Sequence, residues 1–66
     1  MTDLEYDARC LGRAQRDESP DPLKWRAFTD WEATVKTQPE YDHFRCARAY
    51  RFGWLEQSYR YEAGDL

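Results

Sequence analysis

The feature that most constrains the fold is a proline-free stretch from Glu40 to Glu62, which directly follows Pro39 and carries seven aromatic residues. Proline suits the first turn of a helix, because the N–H that it lacks has no partner there. We therefore predict a long C-terminal helix over 40–62, with the rest of the chain packed along one of its sides. The predicted core side of this helix comprises His43, Phe44, Ala47, Tyr50, Trp54, Leu55 and Tyr61.

A first helix is predicted over residues 3–16, because Leu4, Ala8 and Leu11 repeat at the spacing of one helical face. Glu5, Arg9, Arg13 and Asp17 follow each other at intervals of four and are predicted to form a solvent-exposed ladder of charges. Gly12 lies inside this helix and weakens it by roughly 1 kcal/mol relative to alanine.

A second helix is predicted after a connector at residues 16–22. Asp21 followed by Pro22 is typical of a helix start, and the helix is expected to reach about Thr37. Its predicted buried side consists of Phe28, Trp31 and Val35.

Composition supports a purely helical fold of small size. The chain has one valine and no isoleucine, and β-branched residues are what strands prefer. Its 66 residues are enough for one domain with a small core, and an aromatic content of 17% supplies apolar surface. The prediction is an all-α, compact three-helix domain over residues 1–66, with a long C-terminal helix.

The ends of the sequence and its cysteines bear on location. The opening residues lack the basic and apolar segments of a signal peptide, and no apolar run is long enough to cross a membrane. Cys10 and Cys46 are predicted to be free thiols, as is usual in cytosolic proteins. We expect a cytoplasmic protein that does not bind membranes.

Catalytic and metal sites are not predicted. His43 and Cys46 are three residues apart, which suits a pair of metal ligands, but the chain offers no second histidine and no Cys-x-x-Cys motif. It also lacks a phosphate-binding glycine loop and a nucleophile elbow. We predict a protein that is not an enzyme and that needs no cofactor.

Acidic residues form the first candidate binding surface. The formal net charge is −3, and the excess of acids lies in the first half of the chain. Spaced carboxylates of this kind can imitate nucleic-acid phosphates, whereas the alternative is that they are ordinary solvated caps and faces. The residues are Asp3, Glu5, Asp7, Asp17, Glu18 and Asp21.

Aromatic residues form the second candidate surface. Tyr41, Phe52 and Tyr59 are predicted to project together from the third helix, bordered by Arg48 and Leu55, and Tyr, Phe and Arg are enriched at interface centres. The alternative is that they face a neighbouring helix in the core. The end of the third helix, including Tyr59 and Tyr61, is expected to extend past the other two helices. A second copy of the chain or another protein would then cover it.

Two resemblances bear on function. The motif Tyr50-x-x-Gly53-Trp54, after Pro39-Glu40-Tyr41, resembles the ending of ribosome modulation factors over less than a third of the chain, and this implies ribosome binding. In size and charge the chain also resembles phage-borne inhibitors, including anti-CRISPR proteins.

The predicted function is that of a small binding protein that inhibits or modulates a larger protein or nucleoprotein complex through an acidic, nucleic-acid-mimicking face. A ribosome- or nucleic-acid-associated regulator is the alternative. No direct binding to nucleic acid is expected, because the chain lacks a basic stripe. The chain is expected to be a monomer or a homodimer formed through its last helix.

Overall fold

A computed structural model describes residues 3–19 and 21–64 and shows three helices in these ranges. They are α1 (Asp3–Glu18), α2 (Arg26–Val35) and α3 (His43–Glu62). The all-α prediction with a long last helix is therefore confirmed. No helix in the described ranges is both long and apolar enough to cross a membrane. A predicted helix cap at Thr2 and a predicted C-terminal tail at 65–66 lie outside the described residues.

The first and last helices run parallel to each other. Arg9 lies beside Gly53, Arg16 donates a hydrogen bond to Ser58, and Asp17 accepts one from Gln57, so the residue numbers rise together along both helices. The short helix α2 runs in the opposite direction, because Trp25 just before it contacts Tyr50 whereas its Trp31 contacts Tyr41. The molecule thus consists of two long parallel helices joined by one short helix.

Tyr50 lies at the centre of the core and is fully buried. Its ring contacts Phe28, with ring centroids 5.4 Å apart, and its hydroxyl donates a hydrogen bond to the Lys24 carbonyl at 2.7 Å. Leu4 and Ala8 of α1 are buried in the same cluster, which confirms the predicted core side of the first helix. The remaining buried core residues are Val35, Cys46 and Ala49.

Two glycines bring α1 and α3 into backbone contact. A Cβ atom on Gly12 would lie 2.0 Å from the carbonyl oxygen of Tyr50, and one on Gly53 would lie 2.0 Å from that of Arg9. No real side chain tolerates such distances, so each glycine is required by the helix that faces it. Ala8 and Ala49, one turn earlier in each helix, are also buried and extend the close contact.

The second helix starts later than its sequence predicts. The residues from Asp21 to Trp25 are not helical, and α2 begins at Arg26 with no side-chain cap on its first turn. Tertiary contacts explain the difference, because Leu23 packs on the core and the Lys24 carbonyl accepts the Tyr50 hydroxyl. The prediction of a start at Asp21 is therefore wrong.

The third helix begins at His43 rather than Glu40. Asp42 is its N-cap, and the carboxylate accepts a hydrogen bond from the backbone N–H of Arg45 at 3.0 Å. Pro39 and Glu40 lie in the turn before it. The sequence Ala63-Gly64 also predicts that a glycine ends this helix, and Gly64 confirms it with a φ angle of 79°, which favours glycine.

The predicted core side of α3 is wrong by roughly a quarter turn at about 100° per residue. Phe44 and Leu55 are exposed, although both were assigned to the core. Apart from Tyr50, the side chains that face the other helices are small or polar, so the spacing of large apolar residues predicts a different side of the helix. The buried positions are Cys46, Ala49, Tyr50, Gly53 and Gln57.

The charges predicted to form a solvated ladder on α1 instead contact α3. Arg9 and Arg13 each donate a hydrogen bond to one oxygen of the same carboxylate, Glu56. The hydrogen bond from Arg9, together with the contribution of Arg13, lowers the pKa of Glu56. These residues are only half-buried, so the interaction adds a polar border to the glycine contact rather than a charged core.

Candidate functional site: an exposed aromatic and arginine face on α3

One side of α3 carries large apolar side chains that no other helix covers. Phe44 is 84% exposed, Tyr59 70% and Phe52 58%, and Leu55 is exposed between them. Three exposed arginines lie among these residues. We call this surface the outer face, and it consists of Phe44, Arg45, Arg48, Arg51, Phe52, Leu55 and Tyr59.

The outer face lies opposite the core because of its helical positions. At about 100° per residue its members fall within about 120° of the helix circumference, centred about 150° from the buried side. The inner side of α3 is occupied by α1 at Gly53 and by α2 at Tyr50. The fold therefore leaves the outer face free of contact with either helix.

The arginines of the outer face have no acidic partner among residues 3–19 and 21–64. The ion pairs in these ranges join Glu56 to Arg9 and Arg13, and Glu32 to His43. A chain with a formal net charge of −3 thus carries a locally positive surface formed by Arg45, Arg48 and Arg51. Unpaired guanidinium groups beside aromatic rings are typical of binding surfaces.

A groove runs along the edge of the outer face where α3 meets α1. It has a volume of about 600 Å³, and Ala49, Phe52, Leu55 and Tyr59 provide its apolar surface. Charged groups border it on both sides. They are Glu5, Arg9, Arg45, Arg48 and Glu56.

Tyr41 does not belong to this surface, contrary to the prediction that it projects with Phe52 and Tyr59. It precedes α3, packs partly buried against the core and contacts Trp31. Its hydroxyl donates a hydrogen bond to Glu32, which also lies 2.6 Å from Nδ1 of His43. Burial and the neighbouring carboxylate raise the pKa of Tyr41. The residue therefore fixes the turn between α2 and α3.

The six acidic residues do not share one surface. Asp3, Asp7 and Glu18 are exposed on α1, and Asp21 is exposed in the connector. Glu5 lies beside the groove at α3.

Asp17 is held in the contact between the two long helices. Its carboxylate accepts hydrogen bonds from Gln57 at 2.8 Å and from the Tyr61 hydroxyl at 2.7 Å. These two bonds lower its pKa. Tyr61 also stacks on Arg16, whose guanidinium carbon lies 4.6 Å from the ring centroid. The prediction that the last turns of α3 lack an intrachain neighbour is wrong for Tyr61, whereas Tyr59 is exposed.

Groups able to hold a metal ion are not brought together in the described part of the chain. No three residues of His, Cys, Asp and Glu type lie close enough there to hold a metal ion. Both cysteines are free thiols. Cys46 is buried, and burial raises the pKa of its thiol, which disfavours the reactive thiolate.

The sequence predicts Arg48, Phe52 and Tyr59 as part of this surface and misses Phe44, Arg45 and Arg51. It places Leu55 both in the core and at the border of the surface. A signal for them exists, because aromatic and arginine residues recur along this stretch at intervals of three and four. This recurrence does not predict an exposed surface as long as Phe44 and Leu55 are expected to lie in the core. Comparison with protein-family models, with curated proteins and with solved structures found no match.

Proposed function

We propose that this protein is a non-enzymatic binding protein that modulates a larger protein or nucleoprotein complex by placing the outer face of α3 against it. The observation that carries the proposal is the exposure of Phe44, Phe52 and Tyr59 on the side of α3 that faces away from the core. Aromatic side chains dominate binding energy when a partner covers them. The partner we propose has apolar pockets bordered by carboxylates.

Charge supports this choice of partner. The three arginines of the outer face form no ion pair within the described residues, so they can pair with carboxylates of a partner. Arginine pairs with carboxylates through two parallel hydrogen bonds, which gives the contact direction as well as strength. Recognition of an apolar helix face in a groove is a common mode of peptide and protein binding.

The acidic route has weaker support. Nucleic-acid mimicry needs several carboxylates on one surface, whereas Asp17 is bonded to α3 and Glu5 lies at the groove. Asp3, Asp7 and Glu18 remain exposed, but they are spread over the 16 residues of α1. An acidic contact of this kind would be steered by charge and weakened by salt.

One observation favours the alternative of a nucleic-acid-associated regulator. Exposed aromatic rings interleaved with arginines can stack on unpaired bases and contact phosphates. The formal net charge of −3 opposes this, because the molecule as a whole repels a polyanion. A protein partner is therefore preferred.

Site-specific photo-crosslinking in the source cell tests the proposal. A benzophenone amino acid is placed in turn at Phe52 and Tyr59 on the outer face, at Asp7 and Glu18 on α1, and at Ala33 as an exposed control on α2. The expected result is one protein adduct, identified by mass spectrometry, from positions 52 and 59 and none from position 33. Adducts only from positions 7 and 18 would move the site to the acidic surface, and adducts to RNA would establish the alternative.

The identified partner then allows a quantitative test. Phe52→Ala and Tyr59→Ala should speed dissociation, and at least one should weaken binding by about 2 kcal/mol, as is usual for a central aromatic contact. Both side chains are exposed, so circular dichroism should show an unchanged fold. Affinity unaffected by either substitution would refute the proposed surface.

A further inference from the structure

We propose that the outer face of α3 also binds the same face of a second copy of this chain, with the two α3 helices antiparallel. The arrangement follows from the residues of α3 alone. It would give a symmetric dimer in which each copy contributes the same surface to the contact.

Spacing supports a helix–helix contact. Steps of three and four residues alternate through Arg45, Arg48, Phe52, Leu55, Tyr59 and Glu62. This is the heptad spacing by which two helices pack along each other. All six residues are exposed, and the row that they form extends for about 26 Å along the helix at about 1.5 Å per residue.

Chemistry selects the antiparallel direction. With the two-fold axis between Phe52 and Leu55, each of these residues meets the other type from the second copy, so the centre is apolar. Arg48 then lies opposite Tyr59, which suits a contact between a guanidinium and an aromatic ring. Arg45 lies opposite Glu62, which suits an ion pair. Symmetry makes each of these contacts twice.

A parallel pair would be opposed by the same residues. Each residue would then meet its own copy, so Arg45 would face Arg45 and Arg48 would face Arg48. Like charges placed directly opposite each other repel. The residue pattern therefore favours the antiparallel over the parallel direction.

The helix dipole provides an independent argument. Arg45 is in the first turn of α3 and Glu62 is in the last, and each has the unfavourable sign for its end of the helix. In an antiparallel pair, Glu62 of the second copy lies near the N-terminus of α3 and Arg45 of the second copy lies near its C-terminus. Both unfavourable charges are then compensated. Within the described chain neither side chain forms an ion pair, although Asp42 and Arg60 already place one charge of the favourable sign at each end of the helix.

Dimerisation and the proposed partner would compete, because both use the outer face. This competition rests on the proposed function, whereas the dimer itself does not. A single pair of helix faces buries less surface than a standard stable interface, so the dimer should be weak and should yield to a tighter partner. Self-association would then cover the aromatic residues whenever the partner is absent.

Sedimentation equilibrium of the purified full chain over a concentration series tests the dimer without any other protein. Arg45→Glu and Glu62→Arg each place like charges opposite one another twice, and each should raise the dissociation constant roughly tenfold at low salt. The double variant Arg45→Glu/Glu62→Arg restores opposite charges and should return the constant to within about threefold of the parent. Circular dichroism should show the same helix content in all four proteins.

Phe52→Ala removes the apolar centre and should leave a monomer at every concentration. Two results would overturn the dimer: a mass of one chain up to about 1 mM parent protein, and a double variant no tighter than either single variant. Partner adducts in the crosslinking experiment together with a monomeric parent would refute the dimer and leave the proposed function standing. A dimeric parent protein that gives no partner adduct would refute the proposed function and leave the dimer standing.

Discussion

Tyr50 contacts both the second helix and the segment that precedes it. Its ring lies 5.4 Å from Phe28 and 5.3 Å from Trp25, and its hydroxyl reaches the Lys24 carbonyl. The ring fills the core, while the hydrogen bond fixes the non-helical segment before α2. One residue thus positions both the second helix and the connector.

Tyr50→Phe should lower the free energy of unfolding by about 0.5–1.5 kcal/mol. The substitution keeps the ring but removes the partly buried hydrogen bond to the Lys24 carbonyl, and one such bond contributes about that much. Urea denaturation followed by circular dichroism provides the measurement. Tyr59→Phe is the matched control, because Tyr59 is exposed and its change should stay within about 0.5 kcal/mol. Equal effects of the two substitutions would contradict the role of Tyr50.

At this scale the sequence predicted that Tyr50 lies in the core, because its helical position placed it there. The sequence did not predict the contact with Lys24. That contact joins a side chain to a backbone carbonyl 26 residues away, and no residue pattern encodes a backbone acceptor. For the same reason it predicted α2 too early, since the tertiary contacts of Leu23 and Lys24 outweigh the local preference of Asp21 and Pro22.

At the scale of elements, the contact between α1 and α3 depends on the absence of two side chains. The sequence alone indicates only that Gly12 weakens the first helix, because helix propensity is a local property. The structure shows that Gly12 and Gly53 each face a carbonyl group of the other helix. Local preference and tertiary packing therefore predict opposite effects of the same substitution.

Gly12→Ala distinguishes them. Helix propensity alone predicts that the alanine variant is more stable than the parent protein by roughly 1 kcal/mol. A Cβ atom 2.0 Å from the Tyr50 carbonyl oxygen requires the helices to separate, and overpacking of this kind costs about 1–3 kcal/mol or more. We expect net destabilisation by urea denaturation, and the same sign for Gly53→Ala. Ala14→Gly on the exposed side of α1 calibrates propensity, and a stabilised Gly12→Ala protein would refute the close contact.

The sequence predicted the candidate site in part for a related reason. Arg48, Phe52 and Tyr59 were recognised by residue type, but the core side of α3 was placed a quarter turn away. The inner side of this helix is made of Ala49, Gly53 and Gln57, which apolar periodicity does not detect. A helix that buries small residues and exposes large ones inverts the usual rule, and only the packing of α1 reveals it.

At the scale of the whole molecule, three carboxylates join segments that are distant in the sequence. Glu56 bonds to Arg9 and Arg13, Asp17 bonds to Gln57 and Tyr61, and Glu32 bonds to Tyr41 and His43. The pKa of each is lowered, in each case mainly by hydrogen bonds to the charged form. The ionised carboxylates therefore contribute to the stability of the fold.

Stability should consequently fall in acid. A carboxyl group whose pKa is lower in the folded than in the unfolded chain stabilises the fold fully above its unfolded pKa. The ordinary values are 4.5 for the glutamates and 3.8 for Asp17, so urea midpoints should be level near neutral pH and decline below about 4.5. Glu56→Gln should remove part of this decline. A urea midpoint that is higher at about pH 3 than at about pH 5 would contradict the assignment. These two pH values bracket the usual carboxyl pKa of about 4.

The parallel contact of the first and last helices also governs when the chain can fold. Arg9 and Glu56 are separated by 47 positions, so the main packing partner of α1 is present only once α3 has been synthesised. An isolated helix of the length of α1 is marginal in water, and closing so long a loop precedes any gain from the glycine contact. The two long helices can therefore pack only after both have been synthesised, and their contact should form more slowly than contacts between helices that are neighbours in the sequence.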